Sequence, residues 1–203
     1  MTELDPSRTA VINVHWQRDI VTADGAFGPF FAEPVERRGV IAGADRLNRA
    51  ARDAGATIVY TRVAFRPGYP DLFANCPLLA LVAEHQALED GTEGAAIVKE
   101  LTPEAGDLVI THPRVTGFHG TELDVLLRGK GIDTVLFTGV ATNVSVEGTA
   151  REAVNHGYRT VLVSDACSAA SDEAHRATLD SFALLGEVST TDALVAALKA
   201  RTP

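Results

Sequence analysis

Ser145, His15 and His112 are the residues of this chain whose types suit one shared chemistry. A serine hydroxyl ionises far above neutral pH, so it attacks a carbonyl carbon only when a hydrogen-bonded base stands beside it. Histidine, with an ordinary pKa near ~6.5, is the side chain best matched to that work. The three lie far apart in the chain. His15-Trp16-Gln17, Thr111-His112-Pro113-Arg114 and residues 139–145 each follow a short run rich in β-branched residues. They meet only if neighbouring parallel strands bring all three to the same edge of a sheet.

The surrounding pattern predicts such a sheet. Strands are expected at 11–14, 56–61, 107–110, 134–137, 158–163 and 187–189. Helices are expected at 44–54, 120–128, 143–155, 172–185 and from Asp192 onward. Gly55 ends the first of these helices, and an irregular stretch, 62–77, carries Pro67-Gly68-Tyr69-Pro70 near its centre. Alternating strands and amphipathic stretches imply an α/β fold, a three-layer α/β/α sandwich with a six-stranded, mostly parallel sheet, as one domain over 1–203. Ligands of such sheets bind outside the carboxyl ends of the strands. The ends to inspect follow Val14, Thr61, Ile110, Thr138 and Val163.

Composition narrows the partners. The 203 residues are 46% hydrophobic and 22% charged, enough to bury one good core. A formal charge of -9 disfavours nucleic acid or an anionic membrane surface and leaves a small-molecule substrate or another protein as the expected partner. Residues 1–8 contain no apolar signal core, and no apolar run reaches the ~18 residues of a membrane span. Cys76 and Cys167 match no metal or disulfide spacing, which fits free thiols in a cytoplasmic protein. No cofactor is expected.

The pieces 11–17, 107–121 and 139–153, with Gly157-Tyr158 and Asp165-Ala166, resemble the isochorismatase-like, or cysteine hydrolase, superfamily over nearly the whole chain. That family carries an aspartate, a lysine and a nucleophilic cysteine as its triad. Here the matching positions hold His15, His112 and Ser145, while Gln17, Asp19, Phe118, Gly120-Thr121 and the 139–143 turn keep the familiar pattern. The resemblance implies a cis peptide between Val140 and Ala141, an oxyanion hole from the backbone N–H groups of Ala141 and Ser145, and self-association into a homo-oligomer. Some members bind a metal through an Asp-x-His element, but the corresponding stretch here is Arg62-Val63-Ala64-Phe65.

These readings converge on a Ser-His-His hydrolase of a small amide, ester or lactone, with either His15 or His112 as base. Replacement of the whole triad fits equally an inactive homologue that keeps the pocket for binding. A metal held by His15, His112 and His119 is a third reading, without a recognised ligand spacing. Trp16, Gln17, Arg114, Phe118 and His119 are the candidate substrate-binding residues, with an arginine fork from Arg62, Arg66 or Arg114 suited to a carboxylate. Phe65 and Tyr69 are further candidates for aromatic walls. Each of these side chains has an ordinary alternative in the core or on the surface: Ser145 in a first helical turn, the histidines at strand ends, the arginines in solvent. His85, His156 and His175 read as exposed helix residues, and Cys167 as a residue near the pocket rim.

Overall fold

A computed structural model of the protein describes residues 3–200. Its six strands are β1 (Thr9–Val14), β2 (Thr57–Val63), β3 (Leu108–His112), β4 (Thr134–Val140), β5 (Arg159–Ser168) and β6 (Glu187–Ser189). They form one sheet in the order β3-β2-β1-β4-β5-β6, and every neighbouring pair is parallel. The chain builds outward from β1 in one direction, then returns to lay β4 on its other side. Crossovers therefore leave the sheet in opposite directions between β1 and β4, which opens a crevice at their carboxyl ends.

The helices are α1 (Arg18–Val21), α2 (Gly28–Arg38), α3 (Val40–Asp53), α4 (Pro77–His85), α5 (Leu123–Gly129), α6 (Glu147–Asn155), α7 (Asp172–Phe182) and α8 (Thr191–Lys199). Two cores flank the sheet. In one, Val11, Tyr60 and Leu136 meet Ala44, Leu47 and Ala51 of α3 and Leu194 and Leu198 of α8. In the other, Ile12, Val59 and Phe137 meet Leu123 and Leu127 of α5, Ala150 and Ala153 of α6 and Phe182 of α7. Both faces of β1 and β4 are covered, so their residues are buried without alternation. Helix starts are capped where the sequence supplies the oxygen: Ser171 accepts from the Ala174 N–H and Thr190 from the Ala193 N–H.

Several boundaries move outward from the sequence expectation. The helix expected at 44–54 begins at Val40, because Gly39 adopts a left-handed φ of 63° that ends α2 and starts α3 without a break. Helix α2 was hidden by Pro34, a helix-breaking signal that sits inside it. Part of the irregular 62–77 stretch joins β2, and α4 begins at its end. Strand β3 runs on to include His112, β4 to include Val140, and β5 to take in Asp165, Ala166 and Cys167. Tertiary pairing carries β4 through Gly139 and β5 through Asp165, residue types that strand propensity disfavours.

One buried polar chain crosses the layers beneath the crevice. Trp16 Nε1 donates to Thr138 Oγ1, whose hydroxyl donates to Asn13 Oδ1. Asn13 of β1 and Asn48 of α3 exchange reciprocal amide bonds at 3.1 Å. Asn48 also donates to the Tyr60 hydroxyl, which accepts from Arg52 as well, and Arg52 pairs with Asp107 at 2.6 Å. The two amides are shielded from water, so removing either leaves partners behind that water cannot satisfy. Replacing Asn48 by Ala should cost about 2 kcal/mol, and Asn13→Ala more, since it strands both Thr138 and Asn48. Urea unfolding checks this; an equal or smaller loss at Asn13 would contradict the network's order.

Candidate active site

The crevice is shaped first by Gly139. Its φ is 138°, and a Cβ there would lie 2.2 Å from the Val14 carbonyl oxygen, so only glycine lets β4 approach the end of β1 this closely. Past Val140 the chain enters a wide helical turn over Thr142–Val146 and then α6. The Val140–Ala141 peptide is cis, as the resemblance implies. Both Val144 and Val146 donate their N–H to the Ala141 carbonyl, and Thr149 Oγ1 donates to the Ser145 carbonyl at 2.6 Å. Ser145 is thereby held on the crevice wall, 5% exposed.

A side chain read as exposed from the sequence, His175, supports this turn from behind. It is buried, the first member of the inner stripe His175, Thr178, Phe182 of α7, and that helical spacing was the signal that could have placed it. Its Nε2 lies 2.8 Å from Arg38 Nη2 and its Nδ1 2.9 Å from Thr142 Oγ1. A guanidinium only donates, so Nε2 accepts and Nδ1–H donates to Thr142. Burial, with the Arg38 charge beside it, pushes the His175 pKa down to about 4 and keeps the ring neutral.

His15 follows β1 directly, with a left-handed φ of 56° and its N–H on the Thr61 carbonyl. Histidine tolerates that conformation better than most side chains. His112, the last residue of β3, is fully buried in register with Val63. The two rings reach over the end of β2, with Nε2 to Nε2 at 3.1 Å and centroids 5.0 Å apart. Burial, and then the neighbouring His112, hold the His15 pKa well below its ordinary value. Burial likewise lowers His112 to about 4, against the opposing pull of its hydrogen bond to the Arg114 carbonyl. Both rings are therefore neutral near pH 7.

Neutrality determines where the protons sit. His112 Nδ1 lies 2.9 Å from the Arg114 carbonyl oxygen, which can only accept, so Nδ1 carries the hydrogen. His112 Nε2 is then a lone pair, and the 3.1 Å contact requires His15 Nε2 to donate into it. His15 Nδ1 is left as a basic lone pair. Polar atoms sealed without a partner, among the described residues, are Arg38 Nε, Thr61 Oγ1, Tyr69 OH and Glu152 Oε2. His15 Nδ1 and Ser145 Oγ are not of that kind; neither has a protein hydrogen bond, and both residues line one cleft. No hydrogen bond joins Ser145 to either imidazole.

That cleft encloses about 530 Å³ out to its open mouth. His15, Val63, Ala141, Ser145 and Arg114 are among the residues that line it. The Arg114 guanidinium donates to the Phe73 carbonyl and to Asn75 Oδ1, and no carboxylate among the described residues pairs with it. Of the five substrate-binding candidates, Arg114 alone lines the cleft. Trp16 is buried in the polar chain under the sheet, and Gln17 spends its amide on Val63 and on the Ala95 carbonyl. Phe118 stacks on His156 and Tyr158, and His119 points to solvent. Neighbouring Asp19 binds the Leu88 N–H and fills the space that a Cβ at Gly94 would need. Thus the Gln17 and Asp19 matches reflect anchoring of the 88–97 loop.

Other candidates resolve into ordinary roles. Arg62 pairs with Asp90 at 2.6 Å, and Arg66 stays largely in solvent. Phe65 is fully buried and packs against Tyr69. Cys167 is fully buried, its Sγ donating to the Phe137 carbonyl, and burial pushes its pKa up to about 12, which rules out a thiolate. Among the described residues no cluster of three or more His, Cys, Asp or Glu is placed to hold a metal ion. No helix there is long and apolar enough to cross a membrane.

The comparisons agree with this architecture. The Isochorismatase domain profile matches residues 9–193. The chain is 33% identical over 198 residues to the uncharacterized isochorismatase family protein YwoC of Bacillus subtilis, covering 97% of each chain. It is 34% identical over 189 residues to the ureidoacrylate amidohydrolase RutB of Methylobacterium radiotolerans, covering 87% of this chain and 73% of that one. A cysteine hydrolase structure from Pseudomonas syringae superposes with a TM-score of 0.90 at 26% identity, covering 98% and 96% of the two chains. With the sheet order, the cis peptide and the turn that follows it already in place, these matches show that the chain belongs to the isochorismatase family.

Proposed function

We propose that the protein hydrolyses a small amide, ester or lactone with Ser145 as nucleophile and His15 as its base. The observation that carries this is the one-way hydrogen-bond chain from His15 to His112 to the Arg114 carbonyl, which leaves Nδ1 as the free lone pair of His15, a residue that lines the same cleft as Ser145. Family membership, and the amidohydrolase name of the RutB relative, favour an acyl-transfer reaction at a carbonyl.

The steps balance without an outside reactant other than water. Ser145 Oγ bonds to the carbonyl carbon as its proton passes to His15 Nδ1. Collapse of the tetrahedral intermediate breaks the bond to the leaving oxygen or nitrogen, which takes that proton. Water then attacks the acyl-serine, gives its proton to His15, and Ser145 recovers the proton as the acid departs. The Ala141 and Ser145 N–H groups would receive the oxyanion, a role backbone donors keep whatever side chains surround them. His112 acts as a positioning residue: its Nε2 lone pair accepts from His15 and stabilises the imidazolium that forms. The vinyl-ether route of an isochorismatase would need a standing acid, and a buried ring held neutral near pH 7 is a poor one.

A binding homologue without turnover is the second reading, favoured by the missing hydrogen bond between Ser145 and His15. Catalytic hydrogen bonds are often long before substrate binds, which leaves the first reading ahead. Ser145→Ala and His15→Gln should each lower kcat by roughly 10²–10⁴, with the double variant no worse than either alone. A screen of small esters, lactones, amides and ureas measures this; turnover indifferent to both changes would eliminate the mechanism. Alkylation of thiols should leave turnover intact.

The pH profile gives a separate check. His15 accepts a proton only when neutral, so kcat/KM falls as pH drops through its pKa. Because that pKa lies well below 6.5, the profile should be level across neutral pH and bend only on the acid side. An acid limb centred at or above ~6.5 would contradict the buried pair.

A further inference from the structure

We infer that the substrate of this cleft carries an apolar acyl group and not a ureido or other densely polar group. This rests on the Ser145–His15 reading for its reacting end, but it is drawn from the walls. Helix α4 supplies Leu78, Leu79 and Val82; α1 supplies Ile20, and α2 with the residue that precedes it supplies Phe31 and Phe27. Val63, Leu88, Val115, Val140, Ala141 and Val144 complete the apolar lining. The side-chain polar groups facing the space belong to His15, Ser145 and Arg114 alone.

That inventory is uneven. A ureido group brings several N–H donors into the cleft, and each left without an acceptor costs the binding that water had given it. The lining offers no carboxylate and no side-chain amide; its side-chain acceptors are the Ser145 oxygen and the His15 lone pair, both committed to the reacting carbonyl. Twelve apolar side chains, by contrast, gain from every methylene that displaces water. Arg114 spends two of its five N–H groups on the Phe73–Asn75 segment that leads into α4, and since a guanidinium only donates, its remaining N–H groups can meet a carbonyl or carboxylate oxygen but not the N–H groups of a ureido substrate. It latches the apolar wall, and its own carbonyl orients His112.

The test is a series of p-nitrophenyl esters from acetate to decanoate, with kcat/KM for each. Burial of methylenes predicts a rise of roughly three- to fourfold per CH₂ until the cleft is full, then a fall. Leu78→Trp, which narrows the space from a half-buried position, should move the optimum to shorter chains. In parallel, calorimetry on Ser145→Ala with acetate, hexanoate, octanoate and N-carbamoylglycine reads binding without turnover. Tighter binding of the longer acids supports the inference. Ester turnover that is flat or declining with chain length, or preferential binding of the carbamoyl compound, overturns it while leaving the Ser145 mechanism standing. Tight binding of the long acids with no turnover of any ester, amide or lactone in the screen instead removes the mechanism and keeps the apolar class.

Discussion

Two imidazoles buried side by side without a counter-ion are the constraint on which this site depends. A buried charge lacking a partner is costly, and a second one 3.1 Å away would compound it, so both rings shed their protons. Neutral rings must then divide donor and acceptor roles between them. The single fixed point is the Arg114 carbonyl, which cannot donate. From it every proton along the chain follows, ending at a lone pair on His15. A carboxylate or a lysine at either position would break that logic by restoring a charge.

The same contrast separates this site from the Asp-Lys-Cys arrangement of its family. There, a thiolate draws on fields: a helix terminus and a nearby cation favour the ionised sulfur. Serine gains almost nothing from such a field because its hydroxyl does not ionise near neutrality. It needs a base in contact. With His15 and His112 at these positions two neutral imidazoles stand in contact, and a lysine in their place would have held the adjacent imidazole's lone pair. The backbone parts, the 141–145 turn and the Gly139 approach, serve either chemistry because they contain no side-chain function.

Rigidity behind the site comes from neutral hydrogen bonds of the same kind. His175 hands its proton to Thr142 because Arg38 occupies its other nitrogen, and Thr149 ties α6 to the Ser145 carbonyl. Beneath, the Asn13–Asn48 exchange holds α3 to β1 and reaches β4 through Thr138. Shielded, satisfied networks of this sort specify one arrangement of the layers, since any slip leaves polar groups unpaired.

The sequence by itself determined the alternating α/β architecture, the family resemblance, and the three strand ends where His15, His112 and Ser145 stand. These were legible because strand burial and helix amphipathy are written as local periodicities. Strand ends were less legible: β4 and β5 run on through Gly139 and Asp165 because a neighbour supplies hydrogen bonds that composition does not announce. Helix α2 was masked by Pro34. Only the tertiary structure decided that Trp16, Gln17 and Phe118 serve the scaffold, that His175 is buried, and that the cleft is walled by α2 and α4. Only it decided which nitrogen of His15 is free. Those facts depend on which groups meet across the fold, and a hydrogen bond between residues 97 positions apart has no local signature.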